Sequence, residues 1–218
     1  MVDICPTVTV NDSEDYRQYM ERIVTFAVRI HIDLADGSLT ENKLISPDQI
    51  WWPGGVRADI HVMSKQPVRH LPLLMDLRPQ LIIVHAEAEG DFSWLAETLH
   101  NNDIEIGVAL LAATPAEILF KSLHHIDHVL IFSGDLGHYG GQADLSLLSK
   151  ARSLKAIKPQ LEISWDGGIN DSNVAQLITG GIEVLNVGSY LEKAASIREA
   201  YASLEKAVKG SDGVNYDH

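Results

Sequence analysis

The chain has a single cysteine, Cys5, among 218 residues, which excludes an intrachain disulfide framework and a multi-cysteine zinc site. Any metal must therefore be held by histidines and carboxylates, and a lone thiol suits a reducing, cytoplasmic location. No apolar run approaches the roughly 18 residues that span a membrane. The opening MVDICPTVTVNDSEDY has no basic region followed by a long apolar stretch, so a soluble, unexported protein with no membrane partner is expected. Basic residues are scarce too: 17 Lys and Arg stand against 30 Asp and Glu, a formal charge of −13. That balance repels a polyanion and argues against nucleic acid as a partner. A small anionic substrate stays compatible, because backbone amides and a bound cation create local positive potential on an acidic protein.

What is present is an ordinary globular composition, 45% hydrophobic and 22% charged, at a length that fits one α/β barrel. Apolar or alternating runs predict strands near 2–9, 27–33, 57–63, 81–85, 105–111, 128–133, 162–166 and 184–188. Between them, SEDYRQYMERI, FSWLAETLH, PAEILFKSL, LSLLSKARSL and SNVAQLIT repeat their apolar residues at helical spacing. Thr114-Pro115-Ala116-Glu117 reads as a capping box, and Asp171 as the cap of the helix after DGGIN. Strand and helix alternation requires parallel strands with right-handed crossovers, and eight units favour closure. A single-domain (β/α)8 barrel over residues 1–209 is expected, followed by a polar tail at 210–218.

In Ile30-His31-Ile32-Asp33, His31 and Asp33 stand two apart and so share one face of a strand, which Asp36-Gly37 ends with a turn signal. Asp59-Ile60-His61 repeats the alternation on the next strand, and Asp166 precedes Gly167-Gly168 at the end of the seventh. All four would converge at the C-terminal mouth, where barrel active sites are built. Each imidazole alone reads more readily as a hydrogen-bonded core residue than as a ligand. Two imidazoles and two carboxylates together make a site for one divalent metal ion, with zinc, manganese and iron all compatible. Gly167-Gly168 and Asn186-Val187-Gly188-Ser189 suit the phosphate site that barrels form after strands seven and eight. Arg29 and Asp59, each two residues before a ligand, are expected as a buried ion pair beneath it. His85 and Glu87 end strand four and could either support the site or only pack; His124 and His128 read as a solvated turn.

With these motifs in place the chain resembles the ribulose-phosphate 3-epimerase family. The resemblance rests on Cys5-Pro6-Thr7, HIDLADG at 31–37, DIHVM at 59–63, HAEA at 85–88, ATP at 113–115, GGQ at 140–142 and DGG at 166–168, in the family's order. It implies a metal site of His31, Asp33, His61 and Asp166, with Asp33 and Asp166 as the two acid-base catalysts. It also implies substrate contacts from Thr7, His61, Gly140, Gly141, Gly167, Gly168, Gly188 and Ser189, a sugar-phosphate substrate and a homo-oligomer. The implied reaction is inversion of carbon 3 of a ketose phosphate, D-ribulose 5-phosphate to D-xylulose 5-phosphate. Departures from the family pattern fall at Ala35, Leu111, Phe132 and the loop 134–141, where His138-Tyr139 is added. They point to an altered sugar, or to neutral drift. Two further readings compete: a non-catalytic phosphosugar-binding barrel, and a decarboxylase or aldolase. The latter resembling sites carry a lysine beside paired aspartates, which Asp33-Leu34-Ala35-Asp36 lacks.

Overall fold

In the computed structural model, which describes residues 2–138 and 140–212, eight strands close into a parallel barrel in sequence order. They are β1 (Asp3–Val8), β2 (Arg29–Ala35), β3 (Arg57–Met63), β4 (Leu81–His85), β5 (Glu105–Leu110), β6 (His128–Phe132), β7 (Glu162–Asp166) and β8 (Val184–Val187). All eight predicted strands are present. The helices are α1 (Ser13–Ile23), α2 (Leu71–Leu77), α3 (Phe92–His100), α4 (Leu148–Ile157), α5 (Val174–Thr179), α6 (Ser189–Glu192) and α7 (Ile197–Asp212). Residues 213–218 of the stretch read as a polar tail lie outside the described residues.

Local chemistry explains the clean elements. The Asp12 carboxylate caps α1 by accepting from the amides of Glu14 and Asp15 at 3.0 and 2.9 Å, and Tyr16, Tyr19, Met20 and Ile23 bury one stripe of the helix. Asp91 caps α3 through the Trp94 amide at 3.1 Å. The strands are buried on both faces, as parallel strands wrapped by helices must be, and all seven residues of β2 are buried.

Two expected caps do not form. Thr114 donates its hydroxyl to Glu87 across the loop, so it cannot close a capping box, and PAEILFKSL makes 3-10 turns at Ala116–Leu119 and Leu123–His125 instead of a helix. A cavity of about 240 Å³ lies on the outer wall against α3, bordered by Val84, Phe92, Leu95 and Ile118. At the start of α5 the Asn170 side chain accepts from the Ser172 amide, and Asn173 accepts from the Asn170 amide. These bonds shape the turn before α5, and the N-cap residue Asn173 makes no side-chain bond to the helix.

The main apolar core lies between barrel and helices, whereas a separate small cluster, Leu81, Ile83, Ala109 and Leu130, fills the barrel interior on one side. Much of the rest of the interior is polar: Thr7, Arg29, His31, Asp33, Asp59, His61, His85, His128, Ser164 and Asn186 are all buried. Such a lining costs stability unless each group is satisfied, so it marks where function was accommodated.

Candidate active site

Register places the cluster. β2 pairs with β3 so that His31 faces Asp59 and Asp33 faces His61, while β7 and β8 bring Asp166 level with Asn186. Residues level with each other on parallel neighbours point to the same side, so His31, Asp33, His61 and Asp166 all enter the interior near the C-terminal mouth. One ligating atom from each lies within 4.8 Å of the others. His61 is thus level with Asp33, and its ring centroid lies 5.4 Å from that of His31.

Asp33 is held on both oxygens: His61 Nδ1 lies 2.8 Å from Oδ1, and the Thr9 hydroxyl donates to Oδ2 at 2.6 Å. His31 Nε2 sits 3.3 Å from Asp33 Oδ1 and 3.8 Å from Asp166 Oδ2, yet neither ring nitrogen of this fully buried side chain makes a hydrogen bond among the described residues. No lysine or arginine pairs with Asp33 or Asp166 among the described residues. Two buried carboxylates without a fixed cation, beside an imidazole with bare nitrogens, are a donor set that could hold a divalent cation.

The electrostatics separate the two aspartates. Burial lifts the Asp166 carboxyl, and the neighbouring Asp33 charge lifts it further, to about 7. Burial would raise Asp33 as well, but the approach of His31 and His61 outweighs it and holds that carboxyl well below the usual range. The cost of burying the imidazolium pushes His61 down to about 4 despite Asp33, whereas at His31 the attraction of Asp33 and Asp166 overcomes the same burial and raises it. One carboxylate is ionised and its neighbour is poised near neutrality, a division that suits a base and an acid.

A cleft opens above the cluster. Its wall includes Thr7, Asp33, Asp166, Gly140, Gly167, Gly168, Gly188 and Ser189, all expected site residues. His31 and His61 lie buried below the wall, and Gly141 borders an adjoining depression with Gly168 and Ser189. Gly167 (φ +112°) and Gly168 (φ +69°) pass so close to Ser133 and to Gln142-Ala143 that an added Cβ would meet backbone at 2.6 and 2.2 Å. These two glycines let the turn after β7 lie directly against the loop after β6. Phe132 and His138 also face the cleft, whereas Ala35 and Leu111 do not.

Sequence reasoning missed Thr9 and Asn186, both on the cleft wall. Thr9 was signalled by alternation after Thr7. Asn186 belongs to the expected phosphate-site motif, but its level pairing with Asp166 depends on the register of β7 with β8. The reading of His124 and His128 divides: His124 is exposed, but His128 is buried, with Nδ1 2.8 Å from Glu162 and Nε2 2.7 Å from Ser164. The Arg29–Asp59 pair is present at 2.8 Å.

Comparison with known proteins turns this geometry into a lineage. The model of the ribulose-phosphate 3-epimerase family matches residues 3–192. The chain belongs to that family. Its curated relatives include the ribulose-phosphate 3-epimerase of Helicobacter pylori (strain 26695), 29% identical over 203 residues, covering 88% of this chain and 93% of the relative. That of Schizosaccharomyces pombe is 24% identical over 213 residues, covering 94% and 93%. Membership makes the chain an isomerase of the epimerising class. Among solved structures, 3-hexulose-6-phosphate synthase from Salmonella typhimurium superposes with a TM-score of 0.69 at 12% identity over 96% of this chain and 99% of that one. Phosphoribosyl anthranilate isomerase from Thermus thermophilus gives 0.64 at 17% over 95% and 98%. At such identities these two speak for the fold alone.

Proposed function

We propose that this family member inverts carbon 3 of a ketose phosphate, interconverting D-ribulose 5-phosphate and D-xylulose 5-phosphate, with Asp33 and Asp166 as the two proton-transfer groups. The observation that carries the reading is geometric: Asp33 and Asp166 converge with His31 and His61 in one buried cluster, with one ligating atom of each within 4.8 Å of the others. Inversion next to a ketone needs one group to take the proton from carbon 3 and another to return a proton to the opposite face. In one direction Asp33 accepts and Asp166 delivers; in the other the roles exchange.

His31, Asp33, His61 and Asp166 are the residues that would hold a divalent cation, with zinc, manganese or iron compatible with the donor set. When bound, that cation supplies positive charge against the negative charge that develops as carbon 3 loses its proton. Thr9 orients Asp33 by donating to the oxygen that His61 does not face. Thr7 contacts substrate, and Gly140, Gly141, Gly167, Gly168, Gly188 and Ser189 border the phosphate end, with Lys193 on the adjoining depression. We take the enzyme to be cytoplasmic and homo-oligomeric; sedimentation would give the assembly.

A second sugar is favoured by one observation: Phe132 and His138, where the chain departs from the family pattern, both face the cleft. Metal-loaded protein incubated with D-ribulose 5-phosphate in heavy water, followed by NMR, tests the reading. Deuterium should enter at carbon 3 as xylulose 5-phosphate forms. Inactivity on ketopentose and ketohexose phosphates alike would overturn the epimerase reading, and activity on a hexose alone would move the substrate.

A further inference from the structure

His61 uses both ring nitrogens, and the second leads away from the cleft. Nδ1 is the nitrogen that faces the cluster, 2.8 Å from Asp33 Oδ1, while Nε2 lies 2.8 Å from Nε2 of His85, a side chain that is itself fully buried. Two imidazole nitrogens at that separation share one proton: one must donate and the other must accept. Beyond His85, its Nδ1 lies 3.5 Å from Glu87 Oε2, and the Thr114 hydroxyl donates to the other oxygen of that carboxylate. The loop that carries Thr114 is pinned in turn by Lys150 of α4, whose ammonium donates to the carbonyls of Leu111, Ala112 and Thr114 at 2.6, 2.9 and 2.7 Å.

The proton order along this row has two arrangements. If His61 carries its proton on Nδ1, it donates to Asp33, His85 donates from Nε2, and the bare Nδ1 of His85 faces the Glu87 carboxylate, an unfavourable meeting of two acceptors. If His61 carries its proton on Nε2, its Nδ1 lone pair faces Asp33 Oδ1 at 2.8 Å, a meeting of two acceptors that a shared cation would relieve, His85 accepts on Nε2, and the His85 Nδ1–H faces Glu87 at 3.5 Å. Only the second arrangement lets His85 offer Glu87 a proton, beside the one it accepts from Thr114.

We propose that Glu87, acting through His85, is a positioning residue that selects the tautomer in which His61 Nδ1 can ligate a metal, with Thr114 anchoring the carboxylate. The proposal rests on the reading that the His31, Asp33, His61 and Asp166 cluster binds a divalent cation. An outer carboxylate that orients a metal-bound imidazole is conserved in effect across many metal sites, and its loss weakens affinity about 10- to 100-fold. Glu87 is partly exposed and touches neither the cleft wall nor the four ligands, so its effect must pass through His85.

Titration of the metal-stripped full-length chain with Co²⁺, read by visible absorption, tests this together with ¹⁵N-detected NMR of the imidazoles. Glu87→Ala should weaken Co²⁺ binding about 10- to 100-fold, Glu87→Gln should recover part of the loss by restoring an acceptor oxygen, and Thr114→Val should show a smaller loss. The Co²⁺-loaded variants are compared with a Zn²⁺-loaded wild type, whose spectrum should show His61 protonated on Nε2 and His85 on Nδ1. Unchanged Co²⁺ affinity in Glu87→Ala, or a loaded wild type with His85 protonated on Nε2, overturns the proposal while leaving the metal reading intact. A wild type that binds no Co²⁺ overturns the metal reading and the proposal with it. Thr114→Val leaves the carboxylate in place, so it keeps the test decisive should Glu87→Ala fold poorly.

Discussion

The two ends of this barrel bury charge by opposite means. At the N-terminal end the Arg29 guanidinium, itself 2% exposed, donates to Asp59 at 2.8 Å, to Asp3 at 3.1 Å and to Glu162 at 2.8 Å, and Arg57 adds a second cation on Asp3. At the C-terminal end Asp33 and Asp166 share one cluster with two imidazoles and, among the described residues, have neither lysine nor arginine as a partner. The first arrangement is closed: a fixed cation sits among the carboxylates. The second is open, and its charge balance changes with protonation or with a cation from outside. A buried charge that the chain satisfies by itself is architecture, whereas one left to an exchangeable partner is a candidate for chemistry.

The comparison breaks most sharply in turnover. Asp33→Asn and Asp166→Asn should each lower kcat/KM by about 10²–10⁴-fold or more, the scale of a lost proton-transfer group, while Thr7→Ala costs less; epimerisation assays on folded variants decide. Activity near wild type in either Asn variant would remove the two-base assignment. In stability the order reverses. Arg29→Met should destabilise the fold by about 3–5 kcal/mol, because it strands Asp59 in the interior, and the added change Asp59→Leu should return much of the loss. Urea unfolding measures both.

A third test sets the open cluster against its own function. Asp166 rises from an ordinary 3.8 to about 7 on folding. A raised carboxyl costs nothing below its unfolded value; the cost grows between about 3.8 and 7 and stays constant above. Asp166→Asn should therefore make metal-stripped protein more stable at pH 8, by about 2–4 kcal/mol, with the gain vanishing near pH 4. Glu162 should behave in the opposite sense and more weakly. His128 and Arg29 hold its carboxyl well below the ordinary 4.5 against the cost of burial, so its contribution is present above that value and is lost as pH falls below it. Glu162→Gln should lower the melting temperature at pH 7, with the difference from wild type shrinking below pH 4.5.

Much of this was legible in sequence because each signal was local. Strand period placed His31 with Asp33 on one face, and the turn glycines after Asp36 and Asp166 placed the mouth. The Arg29–Asp59 pair followed from alternation on two neighbouring strands. What was not legible depended on contacts between distant segments. Thr114 is a sound helix cap by local rules, but the fold brings Glu87 to its hydroxyl, and the cap is lost. His128 reads as part of a histidine-rich turn until β7 delivers Glu162 and Ser164 on either side of its ring. Thr9 and Asn186 likewise gain their meaning from the register of neighbouring strands, which sets them level with Asp33 and Asp166.

The central claim is that the open cluster works because a cation completes it. The direct measurement is the rate of deuterium entry at carbon 3 of D-ribulose 5-phosphate in heavy water while metal-stripped protein is titrated with Zn²⁺ or Mn²⁺. The account predicts negligible exchange without metal, then a rise that saturates near one equivalent per chain. Exchange at full rate in the stripped protein, or none at any metal loading, would contradict it.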